Sequence, residues 1–264
     1  MKYIISFLAV IAVGLGIVVW FHSGSNSSGA HGALAVYCAA SLKKPVEAIA
    51  AEFQKEHGWA VTLQYGGSAS LLSTARVSQT GDLFLSADDG TIADARKNGL
   101  IGEVIPLVKQ RPVIMTPKGN PKNIRALDDL LKPGVRLALA NPESASISRV
   151  LRKALGERWQ PLASHATVFK PTVMDVASDA ALGSVDAAIV WDSVVPQFAG
   201  AEMVNVAEFE KLEENASVAL LKSSKQPAEA LRLAHYMASS EKGGKVFVKN
   251  GYRLAGGAND GRKP

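Results

Sequence analysis

The chain has few of the residues that build disulfide, metal and nucleic-acid sites. It has one cysteine, Cys38, among 264 residues, which excludes an intramolecular disulfide and a Cys-x-x-Cys metal site. Aromatic residues make up 6% of the chain, which argues against a surface on which bases or sugars stack. The formal net charge is +5, but no run of five or more Lys and Arg residues occurs. We therefore expect no nucleic-acid partner.

The N-terminal segment has the composition of a signal peptide or of a membrane anchor. Lys2 precedes an uncharged, apolar run of nineteen residues at 3–21, and a polar stretch rich in Gly and Ser continues to residue 32. This length is long for the core of a signal peptide and just sufficient to span a bilayer, so both interpretations stay open. The positive charge on the N-terminal side favours export of the remainder. We therefore expect residues 1–32 to be a targeting or anchoring segment of a periplasmic or otherwise extracytoplasmic protein.

From residue 33 onward the sequence alternates between strand-like and helix-like segments. The strand-like segments are 34–37, 60–65, 82–86, 104–108, 135–140, 187–191 and 216–222. The helix-like segments are 45–57, 69–79, 89–98, 127–131, 148–155, 173–182 and 227–238. Such alternation predicts an α/β fold with mainly parallel sheets.

Two stretches indicate crossings between one α/β unit and a second. Residues 111–121 read as a strand followed by a loop rich in Pro and Gly, and the strand at 216–222 is expected to return to the first unit. The predicted lobes are therefore 33–111 with 217–264 for the first and 112–216 for the second. A unit interrupted by a complete second unit predicts a two-lobed protein with a hinge at the two crossings.

Two strand-like runs end in small and hydroxyl residues that lead directly into amphipathic helices. The first cluster is Ala-Ala-Ser-Leu at 39–42, and the second is Gly-Gly-Ser-Ala-Ser at 66–70. A strand followed by a Ser-capped helix places free backbone N–H groups, a hydroxyl and the positive end of the helix dipole at one spot. Such a spot receives anions. The pair predicts a shared site for a small oxyanion.

An exported hydrolase is a weaker interpretation of the same residues. The stretch Gly-Ser-Ala-Ser-Leu at 67–71 lacks the second glycine of a nucleophile elbow. The histidines of the exported part, His57, His165 and His235, lie in no recognisable catalytic string. We therefore expect no enzymatic activity and no cofactor.

Five short segments occur in an order and spacing that match a known family. They are Ala-Ala-Ser-Leu at 39–42, Gly-Ser-Ala-Ser at 67–70, Gly-Asp-Leu-Phe-Leu-Ser-Ala-Asp at 81–88, Asn-Pro-Glu at 141–143 and Ala-Ile-Val-Trp-Asp at 188–192. From about residue 34 to 255 the chain resembles the periplasmic molybdate-binding proteins of ABC importers. The resemblance implies a type II periplasmic binding fold, a monomer that holds molybdate or tungstate between two lobes, and delivery of the ion to a membrane permease.

The same resemblance implies which residues hold the metal oxyanion. Ser41 and Ser68 match two serines that donate hydroxyl and backbone N–H groups from the first lobe. Ile147, or a residue one position either side, and Val176 match backbone N–H donors of the second lobe. Trp191 stands where the family usually has a tyrosine, so its indole N–H would replace a phenol.

Neutral donors can hold such an anion without a Lys or Arg side chain. A tetrahedral dianion accepts hydrogen bonds only, and helix termini supply partial positive charge. Plain helix capping by Ser41 and Ser68, and core packing by Trp191, are the alternative interpretations. Sulfate and phosphate offer similar acceptors, so another oxyanion stays open as the ligand. A membrane-anchored oxyanion sensor stays open as well if the N-terminal segment is retained.

Overall fold

A computed structural model describes residues 32–256 of the chain. All but the last residue of the expected targeting segment therefore lies outside the described residues. Among residues 32–256, no helix combines the length and the apolar character that crossing a bilayer requires.

The described residues form eleven strands and eight α-helices. The strands are β1 (Gly32–Ala39), β2 (Trp59–Gly66), β3 (Leu83–Ser86), β4 (Ile101–Gln110), β5 (Pro112–Pro117), β6 (Leu137–Ala140), β7 (Val168–Lys170), β8 (Ala187–Trp191), β9 (Ala201–Val204), β10 (Glu214–Leu221) and β11 (Arg253–Leu254). The helices are α1 (Lys43–His57), α2 (Ser68–Ser78), α3 (Asp89–Lys97), α4 (Ser146–Leu155), α5 (Trp159–His165), α6 (Val173–Ala181), α7 (Pro227–Ala238) and α8 (Lys245–Lys249).

These strands form two sheets, and each sheet is the centre of one lobe. Lobe 1 is built on a six-stranded sheet with the order β11-β4-β10-β3-β1-β2, and lobe 2 on a five-stranded sheet with the order β7-β6-β8-β5-β9. The chain passes from lobe 1 to lobe 2 over a single residue, Arg111, and returns between β9 and β10. The predicted lobe boundaries, and a hinge at the two crossings, stay predictions.

Both sheets are mixed, so the expectation of mainly parallel sheets was wrong. Within the described part of the chain, four strand pairings are parallel and five are antiparallel. Strands joined by crossover helices, such as β1 with β2 and β6 with β7, pair in parallel. In contrast, β5 and β10 enter their sheets from the other lobe and run against their neighbours.

Helix α1 shows how local sequence determines the elements that carry the site. Its buried residues Val46, Ile49, Ala50 and Phe53 lie at spacings of three and four, so they form one face toward the sheet. The helix ends at Gly58, whose φ of 72° is left-handed and favours glycine. The sequence prediction of this helix is confirmed. Its first turn follows the Ser41 cluster directly, at the end of β1.

Each lobe has its own hydrophobic core. The buried cluster of lobe 2 takes all its residues from 113–209. The two buried clusters of lobe 1 take theirs from 34–108 and from 216–252. Separate cores allow two packed units to face one another across a polar cleft.

Candidate functional site

A small cavity lies between the lobes, where the first turns of helices from both lobes meet. Lobe 1 lines it with residues 39–41, residues 66–68 and Ala87, and lobe 2 with residues 145–147, residues 172–173 and Trp191. The cavity volume is about 10 Å³, whereas sites for organic ligands usually measure roughly 300–1,000 Å³. The closed cavity is therefore too small for an organic molecule.

The lining of this cavity is electrically neutral. None of the described residues that form it has an ionisable side chain. The lining residues carry hydroxyls, an indole N–H and backbone N–H groups at helix starts, all of which can donate hydrogen bonds. Such a lining is compatible with an anion that only accepts hydrogen bonds.

Ser41 lies in a short 3-10 turn between β1 and α1, and its hydroxyl is buried without a hydrogen-bond partner in the described part of the chain. The residue is 1% exposed, and its Oγ has no hydrogen-bond partner among residues 32–256. It does not cap α1, because the N-cap residue is Leu42 and no side-chain cap is formed. A buried hydroxyl without a partner costs about 1–3 kcal/mol. A ligand that accepted a hydrogen bond in the cavity would remove that cost.

Ser68 is the first residue of α2, and its hydroxyl proton is free for a ligand. The residue is 2% exposed, and its Oγ accepts a hydrogen bond from the backbone N–H of Ala87 at 3.1 Å. Because this bond uses Oγ as the acceptor, the O–H remains available as a donor. The N-cap of α2 is Gly67, so Ser68 does not cap its helix either.

Lobe 2 contributes the start of α4 to the cavity. Ile147 is the second residue of this helix, where backbone N–H groups have no partner within the helix. Ser146, the first residue of α4, also lines the cavity and is almost fully buried. Sequence reasoning allowed for its backbone but missed its hydroxyl. The signal was a serine at the helix start, within the Ser-Ala-Ser run that follows Asn-Pro-Glu.

The structure does not bring Val176 to the cavity. Val176 is the fourth residue of α6, and its N–H already bonds to the carbonyl of Thr172 at 3.4 Å. Thr172 and Asp175 form a capping box that starts the helix at Val173. The N–H groups without helical partners are therefore those of Val173 and Met174. Val173 lines the cavity in place of Val176.

Trp191 ends β8 with its side chain both at the cavity and in the core of lobe 2. It is buried, lines the cavity and belongs to the main hydrophobic cluster of that lobe. The two interpretations drawn from the sequence, ligand contact and core packing, are thus both compatible with its position. Its bulk limits the width of the cavity.

Buried groups behind the site hold its backbone in place. The hydroxyl of Tyr252 donates to the carbonyl of Ser41, and burial raises the pKa of Tyr252 well above its ordinary value, which keeps the phenol protonated as a donor. Asp192 accepts the N–H groups of Arg111 at 3.1 Å and Ser193 at 2.9 Å. Burial raises the pKa of Asp192, and these hydrogen bonds oppose that rise. Asp192 thus has a structural role and does not line the cavity.

Direct contacts hold the two lobes together over the cavity. The carbonyl of Ser144 in lobe 2 accepts hydrogen bonds from the N–H groups of Ala69, at 3.1 Å, and Ser70, at 3.4 Å, at the start of α2 in lobe 1. A Cβ atom on Gly67 would lie 2.2 Å from the oxygen of Ser144, so only glycine permits this approach. The structure is therefore a closed form.

A charged clamp on α4 adds to this closure. Arg149 of lobe 2 reaches lobe 1, where its guanidinium lies 3.2 Å from the carboxylate of Asp94 and 3.5 Å from that of Asp88. It also donates to the hydroxyl of Thr91. These carboxylates lie outside the cavity lining, so the clamp joins the lobes without adding a charged group to that lining.

Comparison with known proteins assigns the chain to a family. The family model for bacterial extracellular solute-binding proteins matches residues 34–253, and the chain belongs to this family. The molybdate-binding protein ModA of Mycobacterium tuberculosis is 27% identical over 224 residues, which cover 83% of this chain and 84% of that relative. The resemblance found in the sequence is confirmed at the level of family.

Solved structures confirm the type II periplasmic binding fold. The periplasmic molybdate-binding protein of Azotobacter vinelandii matches with a TM-score of 0.68 and 20% identity, over 84% of this chain and 99% of that one. The sulfate-binding protein SubI of Mycobacterium tuberculosis matches with a TM-score of 0.74 and 20% identity, over 85% of this chain and 88% of that one. At this identity the likeness shows the fold and leaves the ligand open.

A Gly67→Ala variant should close less completely than the wild type. Its φ of −71° suits alanine, but the new Cβ would displace the backbone of Ser144 in the other lobe. We expect loss of hydrogen-exchange protection at the N–H groups of Ala69 and Ser70, and a larger radius of gyration in solution scattering.

Gly66→Ala is the matched control, because its Cβ would meet only the flexible side chain of Leu71, at 3.2 Å. Equal protection of the two N–H groups in both variants would show that the contact with Ser144 does not govern closure.

Proposed function

We propose that this protein is the substrate-binding subunit of an ABC-type importer and that it captures molybdate, and with it tungstate, between its lobes. The observation that carries the proposal is the buried hydroxyl of Ser41, which has no partner in the described part of the chain and borders a neutral cavity. The protein would perform no reaction. It would act as a monomer outside the cytoplasm, released or anchored by its N-terminal segment, and would present the closed form to a permease.

The donor groups at the cavity fit a tetrahedral dianion. Ser41, Ser68 and Ser146 can each donate a hydroxyl proton, and the starts of α4 and α6 add backbone N–H groups and the positive ends of two helix dipoles. Each hydrogen bond to a charged group contributes about 1.5–3 kcal/mol. About five to seven such bonds, after the costs of binding and closure, would give a dissociation constant in the sub-micromolar range, about −8 kcal/mol or better.

The lining also bears on competing anions. Phosphate carries a proton near neutral pH and donates a hydrogen bond through it, but the described lining includes no carboxylate to accept that bond. Sulfate has the same acceptor pattern as molybdate with shorter bonds, so cavity width must separate the two. The family relative named as molybdate-binding matches most of the chain, which supports molybdate as the ligand.

Calorimetric titration of the purified protein tests the ligand directly. We expect sub-micromolar binding of molybdate and tungstate, sulfate weaker by about 100-fold or more, equivalent to ~2.7 kcal/mol, and no measurable binding of phosphate. Binding of sulfate alone would contradict the molybdate proposal while leaving the fold unaffected.

A Ser41→Ala variant should lose affinity without losing stability. Removing one hydrogen bond to a charged group should weaken molybdate binding about tenfold to 100-fold, or ~1.5–3 kcal/mol. The ligand-free variant should unfold at the same temperature as the wild type or higher, because a buried hydroxyl without a partner is removed.

Ser148→Ala is the matched control for this experiment. Ser148 is equally buried, but its hydroxyl donates to the carbonyl of Ala140 at 2.5 Å and does not line the cavity. It should lose about 1 kcal/mol of stability and keep its affinity. The opposite pattern in the two variants, with Ser148→Ala losing affinity and Ser41→Ala losing stability, would overturn the role assigned to Ser41.

Trp191→Phe separates ligand contact from core packing. Phenylalanine keeps an apolar ring at the end of β8 but removes the indole N–H. If that N–H reaches the anion, molybdate affinity should fall about tenfold, equivalent to ~1.4 kcal/mol, with little change in the unfolding temperature. Unchanged affinity would assign the indole to packing alone.

A further inference from the structure

A buried glutamine lies at the crossing between the lobes. Gln110 is the last residue of β4, and one residue, Arg111, separates it from β5 of the other lobe. Its side chain is 0% exposed. Burying a carboxamide costs free energy unless both its N–H and its C=O groups are hydrogen-bonded. The partners of Gln110 therefore indicate the role of this side chain.

The two ends of this carboxamide bind opposite lobes. Its Nε2 donates to the carbonyl of Ala87 in lobe 1 at 2.7 Å. Its Oε1 accepts a hydrogen bond from the hydroxyl of Ser193 in lobe 2 at 3.2 Å. A single side chain at the hinge therefore connects the lobes through two directional bonds.

The lobe 1 bond leads directly to a ligand-facing serine. Ala87 lines the cavity, and its N–H donates to the Oγ of Ser68 at 3.1 Å. Gln110 holds the carbonyl of the same residue. Ala87 directs the proton of the Ser68 hydroxyl away from itself, and Gln110 at the hinge holds Ala87. The orientation of this hydroxyl thus depends on Gln110.

The lobe 2 bond leads to the neighbourhood of Trp191. Ser193 follows Trp191 by two residues, and its N–H is fixed by the carboxylate of Asp192 at 2.9 Å. The carboxamide of Gln110 therefore connects the segment that carries the indole in lobe 2 with the residue that orients the Ser68 hydroxyl in lobe 1.

We propose that Gln110 is a positioning residue for the oxyanion site: it aligns Ser68, through Ala87, with the second lobe. This inference rests on the proposed function, since the affinity that it adjusts is that for the oxyanion. It touches no ligand itself. The competing view is that Gln110 only stabilises the hinge. In that case its substitution would lower folding stability, and its effect on molybdate affinity would be the same with and without Ser68.

A double-mutant cycle with molybdate as the probe separates these views. Gln110→Met keeps the length of the side chain and removes both hydrogen bonds. We expect it to weaken molybdate binding about tenfold in the wild-type background, equivalent to ~1.4 kcal/mol, and less than about threefold in a Ser68→Ala background, because the group that it positions is absent there. The control cycle pairs Gln110→Met with Ser148→Ala, and its effects should add.

A readout without ligand distinguishes failure of this inference from failure of the proposed function. In the ligand-free protein, Gln110→Met should lower hydrogen-exchange protection of the Ala87 N–H, whereas Ser148→Ala should not. If Gln110→Met does not fold, Ser193→Ala removes the lobe 2 bond of the carboxamide but keeps its lobe 1 bond, and it should show the same dependence on Ser68 with a smaller loss.

Equal effects of Gln110→Met with and without Ser68 would overturn the positioning role while leaving the ligand proposal standing. Absence of any oxyanion binding by the wild type would overturn both.

Discussion

A buried hydroxyl that the protein leaves without a partner is the constraint on which the site depends. Among residues 32–256 the Oγ of Ser41 has no hydrogen-bond acceptor or donor, although the residue is almost fully buried. Proteins rarely accept this cost without a use for the group. Ser68 shows the complementary arrangement, because Ala87 occupies its oxygen and leaves its proton free. Both hydroxyls can therefore donate a hydrogen bond to an acceptor from outside the chain, as the proposed function requires.

The second lobe completes the cavity beside these serines only when the two lobes are closed. Ser144 contacts the start of α2, and Arg149 contacts Asp94 of α3 and the N-cap residue Asp88. These contacts bring the starts of α4 and α6 over the two serines. The charged side chains of Arg149, Asp94 and Asp88 lie outside the cavity, whereas the described residues that line the cavity are neutral. Partial charges from helix ends then act at short range, where water is largely excluded. Under the proposed function, closure of the lobes and capture of the anion would occur together.

Much of the fold and the two Ser clusters could be predicted from local sequence signals, whereas the candidate residues of lobe 2 were implied by the family resemblance. The periodicity of α1 and the Ser clusters at its start and at the start of α2 needed no tertiary information. Mixed pairing in the sheets could not be predicted, since it depends on which end of a sheet each crossing strand enters. The start of α6 at Val173 was predicted, but Val176, which the resemblance implied as a donor, does not line the cavity because its N–H bonds to the carbonyl of Thr172. Short elements such as β9 and α5 carry too little periodicity to predict.

A crystal structure of the protein with molybdate tests the central claim most directly, namely that neutral groups from two lobes hold a doubly charged ion. We predict the anion between the hydroxyls of Ser41 and Ser68, with donor–oxygen distances of about 2.7–3.0 Å. Hydroxyl or N–H groups at the start of α4 should complete the shell, with no Lys or Arg side chain in contact. An anion bound elsewhere, or one bound against a guanidinium or ammonium group, would contradict the claim.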